Sequence, residues 1–148
     1  MSAVGDSEAK RFFTVEEAEK LIPRLEVVMG RLMDCRSEAG QLRASLQEEQ
    51  RRVAVSGGFQ LDREAWRERR ERLEALAREM EARVEEILGL GAVPKDLEPG
   101  LVDFPFLLGD EEVNLCWRFG EKRIRFWHGL DEGFAGRKPL PDELVEGE

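Results

Sequence analysis

The 148-residue chain holds a single histidine, His128, and only two cysteines, Cys35 and Cys116, far apart in sequence. It has no C-x-x-C pair, no H-E-x-x-H motif and no acidic calcium loop, so no spacing in it is diagnostic of a metal site. No apolar run approaches the ~20 residues of a membrane span. The opening MSAVGDSEAKRFF lacks the apolar stretch of a signal peptide. These absences predict a cytoplasmic protein with reduced thiols and no membrane contact, and they fit a bacterial cytosol. Aromatics are scarce, at 7% of residues, too few to fill one large core. Basic charge is in deficit, with 23 Lys and Arg against 32 Asp and Glu and a net charge of −9. That balance disfavours nucleic acid as a partner.

What is abundant is charge of both signs, 37% of the chain, which suits a long helix or coiled coil. Residues 1–11 are polar and read as a flexible N-terminus. Thr14 and Glu17 then form a capping box. From Ala18 the apolar positions run Leu21, Leu25, Val28, Leu32, Cys35, Ala39, Leu42 and Leu46 in alternating steps of three and four and, after a polar miss at Glu49, reach Val53. This heptad seam predicts one helix over about 14–53, bent at Pro23. VSGGFQLD (55–62) reads as a turn, with Gly57-Gly58 reversing the chain and Asp62 as the next cap. Trp66, Leu73, Met80 and Ile87 repeat at seven, predicting a second helix over about 62–89 that folds back as an antiparallel coiled-coil hairpin. If Val53 lies near Asp62, helix 1 overhangs helix 2 by roughly four turns at its base, at 3.6 residues per turn. A widened apolar stripe there needs a cover.

Residues 92–140 read as a small β domain supplying that cover, and 141–148 as an acidic tail. Taking Gly109-Asp110 and Gly120-Glu121 as two-residue turns predicts a three-stranded antiparallel meander, with Pro105 confining the first strand to an edge. Val113 then faces Phe106, Leu115 faces Phe104 and Trp117 faces Val102. On the third strand Ile124 faces Trp117, Phe126 faces Leu115 and His128 faces Val113. The fold class is thus α+β, a long helical hairpin with the sheet packed on its base.

The opposite sheet face would carry the rows Asp103, Cys116, Arg125 and Pro105, Asn114, Trp127. An Asp and an Arg flanking a thiol could be an active site, with the guanidinium lowering the thiol pKa. They could equally form an ion pair over a small buried residue. His128 is followed by Asp131 and Glu132, which together could hold a divalent metal, joined through folding by Asp103 or Glu121. A structural histidine bonded to backbone explains the same residue. GFAGRKPL (133–140) could present backbone N–H groups, Arg137 and Lys138 to an anion, or be a linker. Residues 51–72 carry seven arginines. Arg63, Arg67, Arg69 and Arg70 could make the tip a docking surface for an acidic partner, or be a solvated helix face.

GLVDFP (100–105), VNLCWRFGE (113–121), IRFWH (124–128), GFAGRKPL (133–140) and FFTVEEAEKLIPRLEVVM (12–29) resemble an uncharacterised prokaryotic family, the domain-of-unknown-function family 2203. Some of its members carry the label division initiation protein. The resemblance implies no activity, cofactor or catalytic residue. It implies that the motif positions Asp103, Trp117, Glu121, Trp127, His128 and Arg137 matter, and so a site where hairpin meets sheet.

Three functions follow as expectations. The first is a non-enzymatic interaction or ligand-binding module, with a protein partner on the hairpin and candidate ligand residues Asp103, Cys116, Glu121, Arg125, Trp127, His128 and Arg137. No cofactor is required, although a divalent metal has candidate ligands. The second is a metal- or anion-dependent enzyme using Asp103, Glu121, His128 and Arg137. The third is a coiled-coil finger docking into a larger machine such as RNA polymerase. Its outline is similar to that of bacterial transcript-cleavage factors, though VSGGFQ lacks the acidic pair such cleavage needs. An exposed seam would also let two chains dimerise as a four-helix bundle.

Overall fold

The helices of the computed structural model, which describes residues 11–57 and 62–145, begin where the sequence places caps. Thr14 Oγ1 accepts from the Glu17 N–H, and the Glu17 carboxylate accepts from the Thr14 N–H, both at 3.0 Å. This capping box starts α1 (Val15–Lys20). The chain breaks at Leu21 and restarts as α2 (Ile22–Ser56). The predicted single bent helix is therefore two. Pro23 sits in the first turn of α2, where a missing N–H sacrifices no hydrogen bond. α2 runs past the last seam residue, Val53, and stops at Gly57, whose φ of 84° is left-handed and favours glycine. Residue 58 and the rest of the predicted turn through 61 lie outside the described residues. Asp62 Oδ1 accepts from the Ala65 N–H at 3.1 Å and caps α3 (Arg63–Gly89).

α2 and α3 form an antiparallel hairpin. Arg24 pairs with Glu86, Arg31 with Glu79 and Arg72 with Glu38. The pairs step by seven along both helices. They also correct the predicted overhang. α3 runs alongside α2 almost to its first turn, and Ile87 is buried in the core beneath the sheet. α2 instead extends past the start of α3 at the tip, because it ends at Gly57 rather than at Val53.

The sheet has five antiparallel strands in chain order: β1 (Val93–Asp96), β2 (Leu101–Leu108), β3 (Glu111–Arg118), β4 (Phe126–His128) and β5 (Lys138–Pro139). The three-stranded expectation misses β1 and β5. Both are short, contain a proline and show no alternation. β2 is accordingly an edge only beyond Asp103, where β1 stops pairing with it. There the Phe13 N–H donates to the Pro105 carbonyl at 2.8 Å, so the side of Pro105 that lacks an N–H points away from β3.

The β2–β3 register is the predicted one: Val102 faces Trp117, Phe104 faces Leu115 and Phe106 faces Val113. The β3–β4 register differs by one residue. Leu115 faces Trp127, Cys116 faces Phe126 and Asn114 faces His128. The cause is the connection, which is not a two-residue turn. Trp117 Nε1–H donates to the Glu121 carbonyl at 2.9 Å, the Arg118 N–H donates to the Glu121 carboxylate at 2.9 Å, and the Ile124 N–H donates to Glu19 of α1 at 2.9 Å. These bonds shape an irregular loop that returns Ile124 to the core yet delivers β4 one residue out of step. Because side chains alternate, one step exchanges the faces of β4.

The core between sheet and helices joins Val102, Phe104, Val113, Leu115, Trp117 and Ile124 to Ile22, Leu25, Met29, Leu32 and Ile87. Trp127 packs against it in place of Phe126. A smaller cluster of Cys35, Ala39 and Leu76 fills the hairpin farther out.

Candidate functional site

The one-residue shift moves His128 to the face that carries Asp103 and Cys116, contrary to its expected place opposite Val113. The rows across that face are Asp103, Cys116, Phe126 and Pro105, Asn114, His128. Arg125 and Trp127, predicted on it, are displaced. Trp127 lies on the core side with Lys138 Nζ 4.7 Å from its ring centre.

Asp103 and His128 are 1% and 3% exposed, the buried polar residues among those described. His128 Nε2 lies 3.0 Å from Asp103 Oδ1, and Nδ1 lies 2.8 Å from the Gly129 carbonyl. A carbonyl only accepts, so Nδ1 carries a proton. A further proton then lies in the bond between Nε2 and Oδ1, and the pair is a hydrogen-bonded unit of zero net charge. Asp103 Oδ2 is buried with no hydrogen-bond partner. Burial pushes the Asp103 carboxyl above its ordinary pKa, while the His128 hydrogen bond partly offsets the shift.

Cys116 is 1% exposed. Its Sγ accepts from Arg137 Nε at 3.4 Å, and Arg137 Nη2 donates to the Cys116 carbonyl at 3.1 Å and to Glu121 Oε1 at 2.6 Å. The guanidinium stacks 4.1 Å from the Phe126 ring centre. Burial raises the thiol pKa, and the Arg137 hydrogen bond opposes that without reversing it. The expected depression of the thiol pKa is therefore not found. Both ring nitrogens of His128 are also committed elsewhere, which leaves Cys116 no imidazole to activate it as a nucleophile.

Asp103, Cys116, Glu121, His128 and Arg137 thus form one connected cluster. Glu121 and Arg137 also have evident structural tasks, closing the β3–β4 loop and bracing Cys116. Ligand atoms of Asp103, Cys116 and His128 lie within 4.8 Å of one another, the group of that kind found among the described residues. The expected set with Asp131 and Glu132 does not assemble. Asp131 is exposed. Glu132 accepts from the Gly129 N–H at 2.7 Å and from Lys138 Nζ at 2.6 Å. The cations of GFAGRKPL are likewise paired, Arg137 with Glu121 and Lys138 with Glu132.

A cavity of about 290 Å³ opens beside the pair. Leu101, Asp103 and His128 are its buried lining, the last two its buried polar groups. Lys95 and Asp96 of β1 form one wall, and Glu132, Gly133 and Phe134 another. β1 was not read from the sequence, so neither were Lys95 and Asp96; the free Pro94 after a glycine-rich helix end was the only signal there.

At the hairpin tip, Arg51, Arg52 and Arg72 are paired with Glu48, Glu49 and Glu38. Arg69 reaches Ser45 across the hairpin at 3.2 Å. Arg63, Arg67 and Arg70 are exposed, flank Trp66 in a shallow groove, and make no ion pair among the described residues.

No helix among the described residues is long and apolar enough to cross a membrane. Neither the curated proteins nor the solved structures contain a match to the chain. One family model, described as "Uncharacterized conserved protein (DUF2203)", matches residues 11–140. The chain belongs to that family, the domain-of-unknown-function family 2203.

Proposed function

We propose that this protein is a cytoplasmic, non-enzymatic ligand-binding module whose site is the cavity over Asp103 and His128, with the hairpin serving as a coiled-coil arm. The observation that carries the reading is Asp103 Oδ2, a buried acceptor without a partner beside a cavity. Leaving such an atom unpaired costs about 1–3 kcal/mol, a cost that a bound donor would remove. Lys95 in the lining and the unpartnered Asp103 Oδ2 favour a small polar ligand carrying both an anionic group and a donor. Burial of Cys116, which raises its thiol pKa, and the commitment of both His128 ring nitrogens elsewhere support a binding role for this cluster. A Cβ at Gly133 meets nothing within 4 Å, so Gly133→Leu can obstruct the cavity without disturbing the core. Native mass spectrometry of the untagged protein, purified without chelator, is expected to find a small-molecule adduct on the wild type and none on Gly133→Leu. A bare wild type, or an adduct indifferent to Gly133→Leu, overturns the reading.

The tip supports a second element of the proposal, docking of the arm on an acidic protein surface through Arg63, Arg67 and Arg70. Their lack of ion pairs leaves them ready for a partner's carboxylates. A photo-cross-linker at position 67 is expected to capture a partner through an acidic face, and reversal of all three arginines to Glu to abolish capture. A partner retained by the reversed variant overturns this element.

A further inference from the structure

We propose that Asp103, Cys116 and His128 form a binding site for a divalent transition metal, Zn²⁺ by the chemistry of the ligands, with one coordination position open to the cavity. This deepens the ligand-site reading and rests on it for what fills the open position. The three donor atoms already lie within 4.8 Å of one another. Tetrahedral bonds of about 2.0–2.3 Å place ligand atoms roughly 3.3–3.8 Å apart, so the site closes with small shifts, the longer separations contracting and the 3.0 Å contact between His128 Nε2 and Asp103 Oδ1 opening slightly if Oδ1 is the ligand.

The surroundings match what a metal ligand requires. His128 Nδ1–H donates to the Gly129 carbonyl, which fixes the tautomer and leaves Nε2 as the coordinating atom, the usual outer-shell arrangement for a ligating histidine. Asp103 Oδ2 is an empty buried acceptor, and such an atom calls for an ion or a water. Arg137 Nε donates to Cys116 Sγ, a bond a metal-bound thiolate retains through its other lone pairs. Loading exchanges the proton shared by Asp103 and His128, and the thiol proton of Cys116, for one divalent cation. The net charge of the buried cluster does not change, so the metal brings no new buried charge. A thiolate beside an imidazole selects zinc over magnesium or calcium, which prefer oxygen. Three protein ligands leave a fourth position, as in sites that bind an exchangeable water or ligand.

The test uses the full chain, stripped of metal and shown by circular dichroism to be folded, titrated with Co²⁺ and then Zn²⁺. The expected result is one equivalent of Co²⁺ with a thiolate-to-cobalt charge-transfer band and the visible bands of a four-coordinate site, displaced by Zn²⁺. The band persists in Cys35→Ser and disappears in Cys116→Ser. Asp103→Asn and His128→Gln each weaken Zn²⁺ binding by about tenfold or more. Folded wild type that takes up neither metal overturns the proposal, as does a thiolate band that survives Cys116→Ser. The spectrum is read on the unsubstituted chain, so misfolding of a variant cannot hide the answer. If Gly133→Leu removes a captured adduct while the wild type binds no metal, the metal site falls and the pocket stands. If metal binds at Cys116 and no adduct is ever captured, the pocket reading falls and the metal site stands.

Discussion

The hairpin and the sheet use paired charged and polar side chains in opposite ways. Along the hairpin, Arg31–Glu79 and Glu38–Arg72 stand partly in water, repeat at seven residues and cover a thin seam of Cys35, Ala39 and Leu76. Ion pairs so exposed contribute little individually; their regular spacing sets register. In the sheet, Asp103 and His128 are taken fully out of water, and one carboxylate oxygen is left unsatisfied. Burial of that kind lowers stability unless something binds there. The hairpin thus holds its alignment with exposed pairs, and the base holds both the main core and the candidate site.

The largest test of this contrast is removal of bulk from the base. Trp117 is fully buried and its indole N–H is bonded to Glu121. Trp117→Ala is expected to cost about 3–5 kcal/mol in urea unfolding. Gly100 comes next. Its φ is +80°, and an added Cβ would lie 2.6 Å from Phe119 Cβ. Gly100→Ala is expected to destabilise by about 1–3 kcal/mol. Gly40, exposed within α2 with nothing near its missing Cβ, should respond with the opposite sign. Gly40→Ala is expected to stabilise by about 0.5–1 kcal/mol. A destabilised Gly40→Ala would break the contrast, because it would mean the arm is as tightly constrained as the base.

The smallest effect at neutral pH belongs to the ion pairs. The hydrogen bond from Arg31 holds the Glu79 carboxylate below its ordinary 4.5, at about 2. A depressed carboxylate contributes stability that is present above pH 4.5 and lost as pH falls toward 2. Melting curves followed by circular dichroism should show wild type and Glu79→Gln converging across that window. Curves that stay parallel would mean that the pair contributes nothing to the fold.

Much of this architecture is legible in the residues, and the exceptions share a cause. Thr14, Glu17 and Asp62 act on backbone three residues away, and the β2–β3 register follows from alternation on both sides of Gly109-Asp110. Local patterns suffice there. The β3–β4 register depends on Glu19, more than a hundred residues away in sequence, holding Ile124. Hydrophobicity could not decide it either, since each register places one large aromatic, Phe126 or Trp127, on the core side. That single ambiguity hid the site, because it decides whether His128 meets Val113 or joins Asp103 and Cys116. Residues Asp103, Cys116, Glu121, His128 and Arg137 were identifiable as one candidate set; that His128 shares a sheet face with Asp103 and Cys116 was not.

Prolines stand at each border of the sheet: Pro94 in β1, Pro139 in β5, and Pro105 where β2 runs past its neighbour. Each lacks the donor that an incoming strand would use, and Phe13 already occupies the Pro105 carbonyl. The borders are short as well, four residues in β1 and two in β5. Such a sheet is a poor template for strand addition, and edge-to-edge polymerisation of the folded chain is disfavoured at both sides. Recognition by backbone augmentation is disfavoured at these edges. A ligand at the sheet would then be read through side chains.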